Sequence, residues 1–308
     1  MRVLVTGGAG FIGSNLAARL VQDGHEVRVL DNFSTGHRRN LRPILEDVEV
    51  VEGDIQSYER TTRAARGIEV VFHQAAMPSV PRSIEDPLTS TSTNVTGTLN
   101  VMLAARDNGA RRVVFASSSS IYGANPTLPK HEDAVPQPFS PYAVAKLAGE
   151  GYCRAFREVY GLETVALRYF NVFGPHQDPD SHYAAVIPRF ILAALRGTAP
   201  TVYGDGEQTR DFTYVDNVVE ANLLAAEAPG VTSEPMNVAC GRRISLNELL
   251  AAVAEITGTE LRTRYVDPRP GDVRHSHAAI DRAAEQIGYA CRVGFREGLE
   301  RTVAHYRG

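Results

Sequence analysis

The stretch Arg2-Val3-Leu4-Val5-Thr6-Gly7-Gly8-Ala9-Gly10-Phe11-Ile12-Gly13-Ser14 decides the reading of this chain. The apolar run Val3–Val5 predicts a short buried strand, and residues 11 to 21 space their apolar side chains as a helix does. Between them stand Gly7, Gly10 and Gly13. A turn so placed suits a dinucleotide: glycine permits the tight bend, lets the backbone approach a pyrophosphate, and lets the helix pack closely on the strand. The helix start supplies unpaired amides and the positive end of its dipole. Gly7, Gly10, Phe11, Ile12 and Gly13 are therefore expected to line a cofactor site.

Working outward, further valine-rich runs occur at 27–30, 48–51, 70–72, 113–115 and 164–167, apolar throughout and not alternating, as in strands covered on both faces. Helical spacing occurs at 58–65, 95–108 and 142–160. Strand and helix alternate, which predicts an α/β fold: a doubly wound parallel Rossmann-type sheet with ligands beyond the carboxyl ends of its strands. After residue 172 the pattern loosens into Gly-, Pro- and Asp-rich stretches between short helices. We expect a cofactor domain over 1–172, with later segments returning to it, and a smaller α/β substrate lobe over 173–308.

Composition narrows the function classes. The 308 residues carry a formal net charge of −4, which disfavours a nucleic-acid partner and requires that any phosphate ligand be met by local arginines. The three cysteines, Cys153, Cys240 and Cys291, are widely spaced and odd in number, predicting neither a disulfide framework nor a metal site. Met1 runs directly into the first strand with no leader pattern, and no apolar run approaches membrane-spanning length, so a cytoplasmic protein without membrane association is expected. Asn94-Val95-Thr96 is a formal glycosylation acceptor that this setting leaves unused. His73, His176 and His275 form no ligand pattern and receive no role.

The second strand ends at Asp31, eighteen positions beyond Gly13, where a carboxylate accepts hydrogen bonds from an adenosine ribose. This favours NAD over NADP, although Arg38 and Arg39 follow closely and are able to hold a 2′-phosphate. Asn32, Asp54 and Ile55, at the ends of the second and third strands, complete the expected cofactor set; for Asp54 a plain exposed turn is the competing reading.

Tyr142 and Lys146 stand four apart near a helix start and so share one face. A phenol titrates near pH 10, and a neighbouring ammonium favours its ionised form, which suits Tyr142 as a proton acceptor with Lys146 as its cation. A hydroxyl cluster, Ser117-Ser118-Ser119-Ser120, ends the fifth strand, and Ser118 is the first candidate to grip a reacting oxygen.

Taken together, Thr6 to Ser14, Ser118 to Gly123, Tyr142-x-x-x-Lys146 and Leu167 to Pro175 resemble the UDP-sugar 4-epimerase family of extended short-chain dehydrogenases/reductases, and the likeness covers essentially the whole chain. It implies a carbohydrate-metabolising isomerase in which Tyr142 removes the proton of the sugar 4-hydroxyl, C4 passes through a ketone, and bound NAD is not consumed. Related dehydratases carry Asp-Glu after their threonine and related decarboxylases a glutamate in this stretch; Ser119 and Ser120 stand here instead.

The resemblance also assigns a nucleotide–sugar set. Arg210 and Arg269 would meet the diphosphate and Asp272 the uridine ribose, while Asn171 would contact the diphosphate–sugar linkage. Ala185, Val186 and Arg189 lie in a segment similar to the one covering uracil, and Tyr203 joins them. Ser79, Arg82 and the small Ser276 resemble members acting on N-acetylated sugars, whereas Pro78 replaces their glycine. UDP-glucuronate 4-epimerases are the second reading; they resemble a pattern with threonine in place of Asn171 and a basic residue near Asp178. A dehydratase, a decarboxylase and a non-catalytic NAD-binding regulator stand further back. The helices 95–108 and 142–160 match those that pair across a dimer in relatives, so a homodimer is expected.

Overall fold

The structure, a computed structural model, describes residues 1–179, 185–268 and 273–307. Its centre is one parallel sheet of seven strands, which we number β1 (Arg2–Thr6), β2 (Glu26–Asp31), β3 (Val48–Glu52), β4 (Val70–His73), β5 (Arg112–Ser118), β6 (Glu163–Tyr169) and β7 (Met236–Val238). They lie in the order β7-β6-β5-β4-β1-β2-β3. The chain winds one way from β1 to β3, then returns to place β4 on the other side of β1; this reversal opens a crevice beyond the strand ends. Register aligns Thr6 with both Leu30 and His73, and so brings Gly7, Asp31 and Gln74 to one rim.

Successive strand residues face opposite layers. Val3 and Val5 join a core with Leu16, Leu20 and the helix Val215–Glu227, while Leu4 joins Val101, Met102, Cys153 and Phe156 on the other side. The expected helices appear as Phe11–Gln22, Tyr58–Ala64 and Pro141–Tyr160. The last of these approaches β5 closely because residue 149 is glycine: a Cβ there would lie 2.3 Å from the Phe115 ring. The segment expected at 95–108 is a helix over Gly97–Asp107 entered through a π-helical turn, Ser92–Thr96. Asn94 in that turn is buried and bonded to the Met77 backbone, which closes it to modification.

β7 is a strand that the sequence reading did not list, because three residues are too short to stand out from a loop. The remaining C-terminal strands pair in twos: Thr213–Tyr214 with Val172–Phe173, Ile244–Ser245 with Thr209–Arg210, and Arg264–Val266 with Thr201–Tyr203. One expectation is corrected here. Cys240 and Cys291, separated by 51 positions, meet with their Cα atoms 5.0 Å apart and form a disulfide; their distance in sequence concealed a contact that the fold creates. Cys153 is free and buried. Among the described residues no helix is long and apolar enough to cross a membrane, and no group of three or more His, Cys, Asp or Glu is placed to hold a metal ion.

Candidate active site

At the switch between β1 and β4 lies a cleft of about 770 Å3 lined by Gly7, Gly10, Phe11, Ile12, Gly13, Asp31, Asn32, Asp54 and Ile55, the full expected cofactor set, and also by Tyr142 and Lys146. The glycine turn passes a direct steric test. A Cβ on Gly13 would lie 2.2 Å from the Gly7 carbonyl oxygen, and one on Gly7, whose φ is +68°, 2.7 Å from the Ala75 backbone. Helix Phe11–Gln22 starts at Gly10 with no side-chain cap, which leaves its first amides facing the cleft as an anion cradle.

Asp31 is fixed before any ligand arrives. Its Oδ2 accepts the Ala9 N–H at 2.9 Å and its Oδ1 the Phe33 N–H at 2.8 Å. Burial raises its pKa above the ordinary carboxylate range, opposed by these two bonds. Each oxygen retains a lone pair for a ribose hydroxyl. Arg38, the candidate for a 2′-phosphate, pairs instead with Glu52 and covers the Phe33 ring at 4.0 Å. Asp54 accepts the Asn32 side-chain amide and the Gln56 N–H, both at 2.8 Å. A dinucleotide therefore fits this cradle: small backbone, a helix start for the pyrophosphate, and an acid for the ribose.

Of the expected catalytic residues, Tyr142 and Lys146 line this cleft, and Ser118 ends the strand whose Ala116 and Ser117 line it. Ser118 lies near enough to the Tyr142 phenol to lower its pKa, and Lys146 lies with Nζ 5.7 Å from the centre of the Tyr142 ring. Burial pushes the phenol up to about 12, with Ser118 pulling the other way. Burial lowers the Lys146 ammonium to about 8, and it donates to the Ala116 carbonyl at 2.7 Å. Thus the lysine ammonium stands close to the ring while its own bond goes to the backbone of the strand. An ammonium has three donors, so one carbonyl does not exhaust it. Ser118 also caps the short 3-10 turn Ser119–Tyr122 by accepting the Ser120 N–H at 3.2 Å, while the Ser120 hydroxyl is buried with no hydrogen-bond partner.

The expected sugar and nucleotide residues divide. Ser79, Arg82 and Ala185 line the cleft. Ser79, at φ +87°, caps the helix Val80–Glu85. Asn171 donates to the Asp211 carbonyl at 3.2 Å; Arg210 donates to the carbonyls of Thr209 and Arg274; Ser276 donates its N–H to Thr209. These contacts join Asn171, Arg210 and Ser276 into one continuous patch. Tyr203 approaches it through Gln208, which bonds the Tyr203 carbonyl. Val186 begins the helix Val186–Leu195, and Arg189 on that helix faces a separate hollow of about 210 Å3. Arg269 and Asp272 lie outside the described residues.

Several cleft residues went unread in the sequence. His176, Gln177 and Asp178 form a strap across the cofactor rim: His176 meets Ser14 at 2.9 Å, and Asp178 meets His37 at 3.3 Å. Gln74, Thr89, Thr93 and Tyr169 line it as well. Of these, Gln74 directly follows β4 and Tyr169 ends β6, whereas Thr89 and Thr93 lie in helical turns and carry no comparable signal. His73 is structural: it is buried between Thr6 and Thr98 hydroxyls, and burial takes its pKa down to about 3.

Residues 3–239 match the family model described as the NAD dependent epimerase/dehydratase family. The chain belongs to that family. Over its whole length it is 41% identical to the UDP-glucose 4-epimerase of Mycolicibacterium smegmatis, covering 99% of that protein. The fold matches a UDP-N-acetylglucosamine 4-epimerase from Methanobrevibacter ruminantium in complex with UDP-N-acetylmuramic acid, with a TM-score of 0.95, 40% identity, and 99% and 98% of the two chains covered. It matches a Thermus thermophilus UDP-glucose 4-epimerase in complex with NAD with a TM-score of 0.91, 40% identity, and 100% and 99% coverage. This epimerase/dehydratase is accordingly an NAD-dependent enzyme, and the cradle around Gly13 and Asp31 is the part of it that fits the dinucleotide.

Proposed function

We propose that the chain is a UDP-sugar 4-epimerase acting on a UDP-hexose of the glucose–galactose type, with the N-acetylated forms in range. The observation that carries this reading is Tyr142, beside Ser118 and close to the Lys146 ammonium, in the cleft that also holds the glycine cradle. NAD, when bound, supplies the two-electron chemistry by which C4 of the sugar becomes a ketone and returns to an alcohol. The protein's own share is acid–base work and grip. Tyr142 takes the 4-hydroxyl proton and gives it back, Ser118 holds the same oxygen, and Lys146 offsets the charge left on the phenol. The unpartnered Ser120 hydroxyl is a further acceptor or donor for the sugar. Arg210, Asn171 and Ser276 supply the patch for the diphosphate and its sugar, with Tyr203 joined to it through Gln208, and Ala185 and Val186 serve the nucleotide. Ser79 and Arg82 form the opposite wall.

The test pairs product analysis with one substitution. The purified protein, offered UDP-glucose, UDP-galactose, their N-acetylated forms and UDP-glucuronate, should convert a hexose pair to products of unchanged mass, separated by chromatography. Tyr142→Phe should lower turnover by roughly 10^2 to 10^4 while UDP-sugar binding persists. Near-normal turnover in that variant, or loss of water or carbon dioxide from the sugar, rejects the assignment. We also propose a homodimer paired through Gly97–Asp107 and Pro141–Tyr160; Val144 and Val159 stand exposed on the latter helix. Sedimentation of a monomer at micromolar concentration would exclude it.

A further inference from the structure

Helix Pro141–Tyr160 presents Tyr142, Lys146 and Glu150 at i, i+4 and i+8, one stripe along one face. Each addresses a different group of the strand beneath it. Tyr142 lies near enough to Ser118 for the serine to lower its pKa, Lys146 donates to the Ala116 carbonyl, and Glu150 accepts from the Ser117 hydroxyl at 2.5 Å. The first two belong to the proposed chemistry. The third does not, and it is the most heavily anchored.

Arg168 grips Glu150 with two bonds, Nε to Oε1 at 2.9 Å and Nη2 to Oε2 at 2.8 Å, and both side chains are buried. The remaining guanidinium nitrogen, Nη1, donates to the Tyr122 hydroxyl at 2.8 Å and the Glu132 carbonyl at 3.1 Å. Tyr122 in turn donates to Asn237 at 2.7 Å. One buried ion pair thus holds the serine segment at both flanks, at Ser117 through Glu150 and at Tyr122 through Arg168. Burying two charges carries a desolvation cost that a well-packed apolar pair would avoid, so such a pair is weak evidence of stability. Its specific product here is geometry: the segment carrying Ser118 cannot slide relative to the helix carrying Tyr142.

We propose that Ser117 and Glu150, backed by Arg168, are positioning residues that hold the Ser118 hydroxyl beside the Tyr142 phenol. The consequence for the reaction rests on the epimerase reading above; the consequence for the phenol does not. Ser117→Ala is the informative variant, because it removes one hydroxyl and leaves both Glu150–Arg168 bonds in place. With the segment released, the Ser118 hydroxyl moves off the phenol, the ionised phenol loses that stabilisation, and its titration moves upward.

The experiment uses the NAD-loaded protein with 13Cζ-labelled tyrosine, the Tyr142 signal being assigned by its loss in Tyr142→Phe. In Ser117→Ala the Tyr142 titration midpoint should rise by roughly half a unit or more. In turnover, kcat should fall about tenfold with KM little changed, and the acid limb of its pH profile should move to higher pH. Ser117→Cys, which keeps the volume and a weaker donor, should fall between parent and Ser117→Ala, and it serves if Ser117→Ala does not fold. A Ser117→Ala midpoint and kcat equal to the parent's would overturn the proposal. A shifted midpoint in a protein that epimerises no UDP-sugar would sustain it while sinking the epimerase reading.

Discussion

The two walls of this site are made in different ways. The cofactor wall is local: Gly7, Gly10 and Gly13 sit in one turn, and Asp31 ends the neighbouring strand. The sugar wall we propose would be assembled at long range, with Asn171 held on Asp211, Arg210 on Arg274, and Ser276 on Thr209 beside a strand of two residues. A wall built within one turn tolerates no added atom, since its backbone has nowhere to move. A wall built from short strand pairs has more ways to adjust.

That contrast can be broken by experiment. Gly13→Ala forces a Cβ against the Gly7 carbonyl at 2.2 Å, and overpacking of this kind costs about 1–3 kcal/mol. Bound NAD, measured by nucleotide release and fluorescence titration, should weaken on the order of 100-fold. Retention of parental affinity would show that the turn yields, removing the distinction between the walls. Arg210→Ala should act more mildly and on the other ligand: about a tenfold rise in KM for the UDP-sugar, from loss of a charge-assisted bond, with NAD content unchanged. An equal loss of NAD would mean that the two walls are mechanically one.

The same contrast explains what was legible. β1, the glycine turn and Asp31 were readable because strand, turn and helix signals there lie within a few tens of residues and each requires the others. Tyr142 and Lys146 were readable because a helix dictates which residues share a face. Glu150 lies on that same face, yet its partner could not be read: pairing with Ser117 depends on how the helix is set along β5, and Gly149 against Phe115 determines that. β7, the cysteine pair and the His176–Asp178 strap failed for a related reason, since each is defined only after distant segments have docked. Lys146 was read as a cation near the phenol; in the fold its Nζ lies 5.7 Å from the Tyr142 ring centre and bonds the Ala116 carbonyl, a partner that spacing along one helix does not reveal.

One continuous apolar cluster begins at Val3 and Val5 in the first strand, takes in Phe173, Phe190, Val202 and Leu249, and ends at Leu299 and Val303 in the last helix. Residues on both sides of position 172 therefore share a single hydrophobic body. Severing the chain near residue 172 would leave each fragment with a raw apolar face, so neither piece should persist alone, and heat should dissolve the whole in one cooperative event.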